Sequence, residues 1–134
     1  MLKRFSNFKM NESVENESEE LKQFTENSLV YLMDEGLRVS IDMFFRTHMP
    51  NNRNGFSIIL TTSAGVPIKW GDMKDDILPF LTMLNYKYPI DNMKLLYVPN
   101  GLTITKLDDI DMESLENFES DNNIFQLVIE VKIK

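Results

Sequence analysis

Pro67–Tyr88, PIKWGDMKDDILPFLTMLNYKY, is the stretch that decides the fold. It holds the only Trp of the chain, Trp70, and the cleanest amphipathic pattern. Pro67–Trp70 reads as a short strand, and Pro67, which has no N–H for a ladder, suits a strand start or a sheet edge. Asp72 then stands as an N-cap. Asp75 and Asp76 follow in the first turn, where the helix dipole favours negative charge. Met73, Ile77, Phe80, Leu81, Leu84 and Tyr88 recur at spacings of three and four and form one apolar stripe of a helix. Pro79 interrupts it, removing one hydrogen bond at a cost of about 3 kcal/mol unless the chain adjusts. Either the helix bends there, or DMKDD is a separate turn and the helix starts near Leu78. The unbroken stripe favours a single bent helix.

Upstream, residues 17–35 read as a helix with Leu21, Phe24, Ser28, Leu29 and Leu32 on one side. Ser18 caps it, and Gly36 supplies the left-handed residue that ends it. Val39, Ile41, Met43 and Phe45 alternate as the next strand. Pro50 and Asn54-Gly55 mark a turn, and Phe56–Thr62 is a β-branched second strand.

Downstream, Lys94–Val98 and Leu102–Lys106 flank Pro99-Asn100-Gly101, the best hairpin signal in the chain. LDDIDMESLENFES predicts a short acidic helix with Ile110, Leu115 and Phe118 inward. The final run, IFQLVIEVKIK, alternates Leu127, Ile129, Val131 and Ile133 against Gln126, Val128, Glu130 and Lys132, which predicts a long, half-buried strand paired inside the sheet.

The expected fold is therefore α+β: a mainly antiparallel sheet of five to six strands with two main helices packed on one face. The third to sixth strands with the second and third helices also fit a ferredoxin-like βαββαβ order. A degenerate αββ duplication is a weaker alternative. Residues 1–12 read as a flexible N-terminal arm, because no period holds across them. Residues 13–134 then form a single domain. Phe5 and Phe8 in the arm are candidate partner-binding residues, as an anchor on another protein or a contact with the domain's own surface; a frayed tail is the favoured reading.

Composition narrows the function. The chain has 134 residues, 43% hydrophobic, which suffices for a real core. It has no Cys, so disulfides and thiolate chemistry are absent. No apolar run approaches the roughly 18 to 20 residues of a membrane helix, and no apolar signal core follows Lys3 and Arg4. No membrane partner and no export through a signal peptide are expected. Net charge is −7, with 14 basic residues scattered among 21 acidic ones, which disfavours a nucleic-acid partner.

Catalytic signals are weak. The single His, His48, sits in a loop beside Pro50 with no nucleophile motif. One His and no Cys leave a zinc site without its usual ligands. Counting a calcium loop from Asp109 puts Ser114 where Gly is needed and Ser120 where a bidentate Glu is needed, so that match fails. Asp72, Asp75 and Asp76 lack the phosphate cradle that Mg²⁺ chemistry would want, and a helix's first turn explains them. No cofactor or metal is expected. Trp70 either wedges the helix onto the sheet with its N–H on a carbonyl, or stands exposed as a partner-binding anchor; the core reading is favoured.

KRFSNFKMNES resembles the short N-terminal F-x-x-F…N-E openings of small proteins of large tailed bacteriophages. YLMDEGLRVSI…IKWGDMKDDILPFLTML, within residues 28–85, is similar to uncharacterised small accessory or virion-associated proteins from those genomes. Met10-Asn11-Glu12 departs at its first position from the sites that prohead proteases of some such phages cut. The resemblance implies a non-enzymatic protein-binding or structural role with a protein partner, in an infected cell's cytoplasm or in the virion. It carries over no functional residues. An acidic inhibitor or DNA mimic acting on a host nucleic-acid enzyme is the alternative that the charge supports, if Asp72, Asp75 and Asp76 share a surface with Asp108, Asp109 and Asp111. A small carboxylate-dependent enzyme is the third reading.

Overall fold

The C-terminal run that alternates apolar and polar residues takes the centre of a six-stranded sheet. The computed structural model describes residues 17–45, 54–63, 66–99 and 103–132. In chain order the elements are α1 (residues 17–28), α2 (Val30–Asp34), β1 (Arg38–Phe45), β2 (Asn54–Thr61), β3 (Ile68–Lys69), α3 (Trp70–Lys87), β4 (Ile90–Val98), β5 (Thr105–Leu107), α4 (Met112–Glu116) and β6 (Asn123–Lys132). The sheet order is β1-β2-β6-β4-β5, with β3 also against β6, and every pairing is antiparallel. The α+β expectation holds.

The ferredoxin-like order does not. It would seat β3 between β6 and β5, whereas β6 lies between β3 and β4. The physical reason is length. β3 has two residues and offers few ladder bonds, while β6 has ten and pairs β2 on one side and β4 on the other. The αββ units are not equivalent either: β6 is flanked by the second strand of the first unit and the first strand of the second.

Two irregularities keep the core face apolar. Between β4 and β6 the register shifts at Ile90/Asn92 and at Leu96/Tyr97. A one-residue slip would send following side chains to the opposite face. Here the extra residues, Asp91 and Phe125, let Ile90 join Met93 and let Ile124 join Leu127 on the buried side. Thr62, itself buried, donates its hydroxyl to the Ile124 carbonyl at 3.1 Å and its N–H to Phe125 O at 3.0 Å, which holds the β6 bulge.

One cluster fills the space between sheet and helices, with buried side chains from Leu21 to Val131. α3 lies over the sheet with Trp70, Met73, Ile77, Phe80, Leu81 and Leu84 buried. α1 runs antiparallel beside it: Leu21 and Phe24 lie against Lys87 and Tyr88, while Ser28 lies against Asp75, Pro79 and Phe80. The Phe24 and Phe80 rings meet at 5.6 Å, and the Lys87 ammonium sits 4.9 Å from the Phe24 ring.

Two local expectations change. The helix predicted over 17–35 is divided at Leu29, which has φ −118° and ψ 25°. Thr25 and Ser28 donate their hydroxyls to Leu21 O and Phe24 O, both at 2.8 Å, a back-bonding that bends helices. Gly36 ends α2 as expected, with φ +114°. Leu37 N donates to Leu32 O at 2.9 Å and Gly36 N to Met33 O at 3.1 Å, the paired bonds of a Schellman ending, with Leu32 and Leu37 both buried.

α3 is one helix with Pro79 inside it, but it starts at Trp70, and Asp72 is a first-turn acid rather than the N-cap. Lys69 takes the N-cap position with no side-chain bond. The acceptors come instead from the chain before β6: Trp70 N donates to Asn122 O at 2.8 Å and Gly71 N to Ser120 O at 3.0 Å. A Cβ on Gly71 would stand 2.9 Å from Ser120 Cβ, so this close approach needs glycine. The β4–β5 hairpin forms, pairing Leu95–Tyr97 with Thr105–Leu107; Asn100-Gly101 at its tip lies outside the described residues.

Candidate functional site

Trp70, proposed from sequence as a core wedge or an exposed anchor, is the wedge. It is 0% exposed. Its Nε1–H donates to Leu115 O at 3.0 Å, and its ring meets Phe118 edge-on at 6.4 Å. Phe118 in turn meets Tyr97 at 4.7 Å. Trp70 thus ties α3 to α4 and is corrected here as a partner-binding candidate: its indole is spent on the interior. Phe5 and Phe8 lie outside the described residues, as does His48.

An open groove lies elsewhere. α3 occupies the middle of the helical layer, with the long α1 on one flank. On the other flank, among the described residues, only the five-residue α4 and the connection before it cover β4 and β5. A groove of about 570 Å³ remains between the C-terminal half of α3, the start of β4 and residues 110–112. That volume falls in the range of ligand and side-chain pockets, about 300–1,000 Å³.

The groove wall follows from local structure. Leu81, Ile90, Met93, Ile110 and Met112 give it an apolar floor. Ile110 is held there because its N–H donates to Met93 O at 3.0 Å. The turn that brings it in passes through Asp109 at φ +56°, a left-handed position that Asp tolerates better than most side chains. Thr82, Asn85 and Tyr86 form the α3 rim, and Tyr86 is 78% exposed. Asn85 Oδ1 accepts from Ile90 N at 3.0 Å and closes the α3–β4 turn.

Two carboxylates and one amide complete the wall. Asp111 accepts the Ser114 N–H at 2.8 Å as the N-cap of α4. That backbone bond, followed by one from the Ser114 hydroxyl, holds its carboxyl below the ordinary aspartate range. Asp91, at the β4 bulge, pairs with Lys132 at 3.4 Å. Asn92 Oδ1 is buried and has no hydrogen-bond partner among the described residues. An acceptor left so costs about 1–3 kcal/mol, and an incoming donor would recover part of it.

Asp75 and Asp76 do not share a surface with Asp111. Asp75 and Asp76 line a shallow groove with Ser28 and Met83 on the α1 side of α3. Asp111 lies on the opposite flank with Thr82 and Tyr86. Lys74, on α3, donates to Glu116 O of α4 at 2.7 Å. Among the described residues no group of three or more His, Asp or Glu side chains is placed to hold a metal ion. Among them, too, no helix is long and apolar enough to cross a membrane.

Sequence reasoning passed over this groove. Its one available signal is Tyr86, an aromatic residue outside the apolar stripe of α3. Asn92 carries no mark in the sequence and Ile110 reads there as an inward residue of a short helix; the β4 bulge and the Asp109 turn bring them to the groove. Compared with known proteins, the chain matches no family model, no curated protein and no solved structure.

Proposed function

We propose that this chain is a non-enzymatic protein-binding module, and that the groove beside α3 receives a short segment of its protein partner. The observation that carries the reading is the groove's make-up: an apolar floor, the exposed Tyr86 at the rim, two carboxylates, and a buried acceptor on Asn92 without a donor among the described residues. An aromatic anchor with one polar end is a frequent hot-spot residue, and apolar walls with few polar groups suit side-chain capture. The wall chemistry selects a segment that offers apolar or aromatic side chains next to Lys or Arg.

The resemblance to small phage proteins supports an accessory or virion-associated setting, in an infected cell's cytoplasm or in the particle. The inhibitor reading asks for the acidic residues on one surface and is less well supported, because Asp75 and Asp76 lie across α3 from Asp111.

The test is a titration of the full chain with short synthetic peptides of three kinds: basic-aromatic, acidic-aromatic and neutral. Amide shifts are followed by NMR. Basic-aromatic peptides are expected to give saturable shifts centred on Thr82, Tyr86 and Ile110, weakening as salt rises. Shifts from no class, or shifts centred away from the groove, would refute the reading.

A further inference from the structure

We infer that the groove beside α3 is the docking site of the chain's own N-terminal arm, with Phe5 or Phe8 on the apolar floor and Lys3, Arg4 and Lys9 toward the carboxylates. This rests on the protein-binding reading above and names the segment that fills the site first.

Three observations meet. The first is chemistry. Residues 1–10, MLKRFSNFKM, hold three cations, two Phe and no acidic residue, in a chain of net charge −7. The groove's open flank is bordered by the acidic connection Asp108-Asp109-Ile110-Asp111 and by Asp91. Asp91 already pairs with Lys132 and Asp111 already caps α4, so the match is one of local potential, not of vacant partners.

The second is position. α1 is described from Glu17, and its first turns lie against Tyr88, which the Glu17 and Glu20 charges affect electrostatically. Tyr88 sits between the groove residues Tyr86 and Ile90. From Glu17 back to Phe5 the chain spans up to about 40 Å, ample to turn around the end of α3. A short tether gives a segment an effective concentration in the millimolar range, so even weak complementarity fills the site.

The third is the gap in the helical layer. Among the described residues, α1 covers one flank of α3, and the other flank is left with an apolar floor and a buried unpartnered acceptor. An arm crossing there supplies both apolar area and backbone or side-chain N–H donors. A partner segment must then displace the arm, so the protein binds its target in competition with itself.

The chain has no cysteine, so a disulfide tether reads the arrangement without background. In the full chain, Ser6→Cys, which spares both Phe, is combined with Tyr86→Cys at the groove rim. A second variant combines Ser6→Cys with Gln23→Cys. Gln23 is exposed on α1, nearer to Glu17 along the chain but across α3 from the groove. With oxidised glutathione as the oxidant, the 6–86 pair is expected to close within the monomer roughly tenfold faster than the 6–23 pair. Adding Thr82→Arg puts a cation on the groove wall at an exposed helical position that Arg suits. That change should bring the 6–86 rate down to the 6–23 rate, with the far-UV circular dichroism unchanged.

Equal rates for the two pairs overturn the inference. So does linkage found only between two chains, or a 6–86 rate indifferent to Thr82→Arg. A chain that binds the basic-aromatic peptide but fails the tether test keeps the protein-binding reading and loses only this inference.

Discussion

Replacing Trp70 measures how much of the fold hangs on one side chain. The indole is 0% exposed, donates to Leu115 O at 3.0 Å and meets the Phe118 ring at 6.4 Å. In Trp70→Phe the hydrogen bond goes. The Leu115 carbonyl is not orphaned, because Phe118 N also donates to it at 3.2 Å. The lost bond therefore costs about 1 kcal/mol, without the further penalty of a buried unsatisfied group. The smaller ring forfeits roughly 2 kcal/mol more, at about 0.8 kcal/mol per buried carbon-sized group. The sum is about 3 kcal/mol, a large share of the 5–15 kcal/mol typical of a domain. Trp70→Ala should cost about 3–5 kcal/mol, and collapse around it does not relieve the loss, since α4 leans on the same ring. Urea unfolding followed by far-UV circular dichroism gives both differences from the midpoint shifts. Since Trp70 is the only Trp, the intact protein's emission also reports burial and should resist quenching until the chain unfolds. A Trp70→Phe cost under about 0.5 kcal/mol, the scatter of surface substitutions, would refute the wedge.

Two further outcomes are expected. Gly36→Ala should lower stability by about 1–2 kcal/mol, because φ is +114° there, while the nearest atom to the added Cβ, Ser63 Oγ at 3.6 Å, leaves room; unfolding midpoints equal to those of the parent would show that the α2 ending tolerates a side chain. Tyr88 is held above the ordinary tyrosine value by burial first, and then by Glu17 and Glu20. Its contribution is complete below about pH 10, the unfolded value, and is lost as pH rises from there through the higher native value. Tyr88→Phe should flatten that alkaline decline in pH-dependent melts, and an unchanged decline would assign it to other groups.

How far the groove could be read in advance depends on which residues carry it. Tyr86 stands off the α3 stripe, so a surplus aromatic was visible. The Asn92 acceptor was not: its burial follows from the bulge at Asp91, and a bulge is a matter of pairing between strands far apart in sequence. Ile110 looked like a core residue of a short helix. It is half-buried and lines the groove because Met93 O takes its N–H.

The sequence by itself determined the periodic elements. The stripe of α3, the alternation of β6 and the glycine that ends α2 are local patterns, set by spacing along one element and by backbone preference at one residue. Tertiary structure alone decided where α3 begins, since the acceptors for its first N–H groups arrive from Ser120 and Asn122. It also decided which strand is central, because ladder length rewards the ten residues of β6 over the two of β3. The open flank of α3 has the same origin. Periodicity states which face of an element is buried, but only the packed arrangement shows which neighbour covers it and where none does.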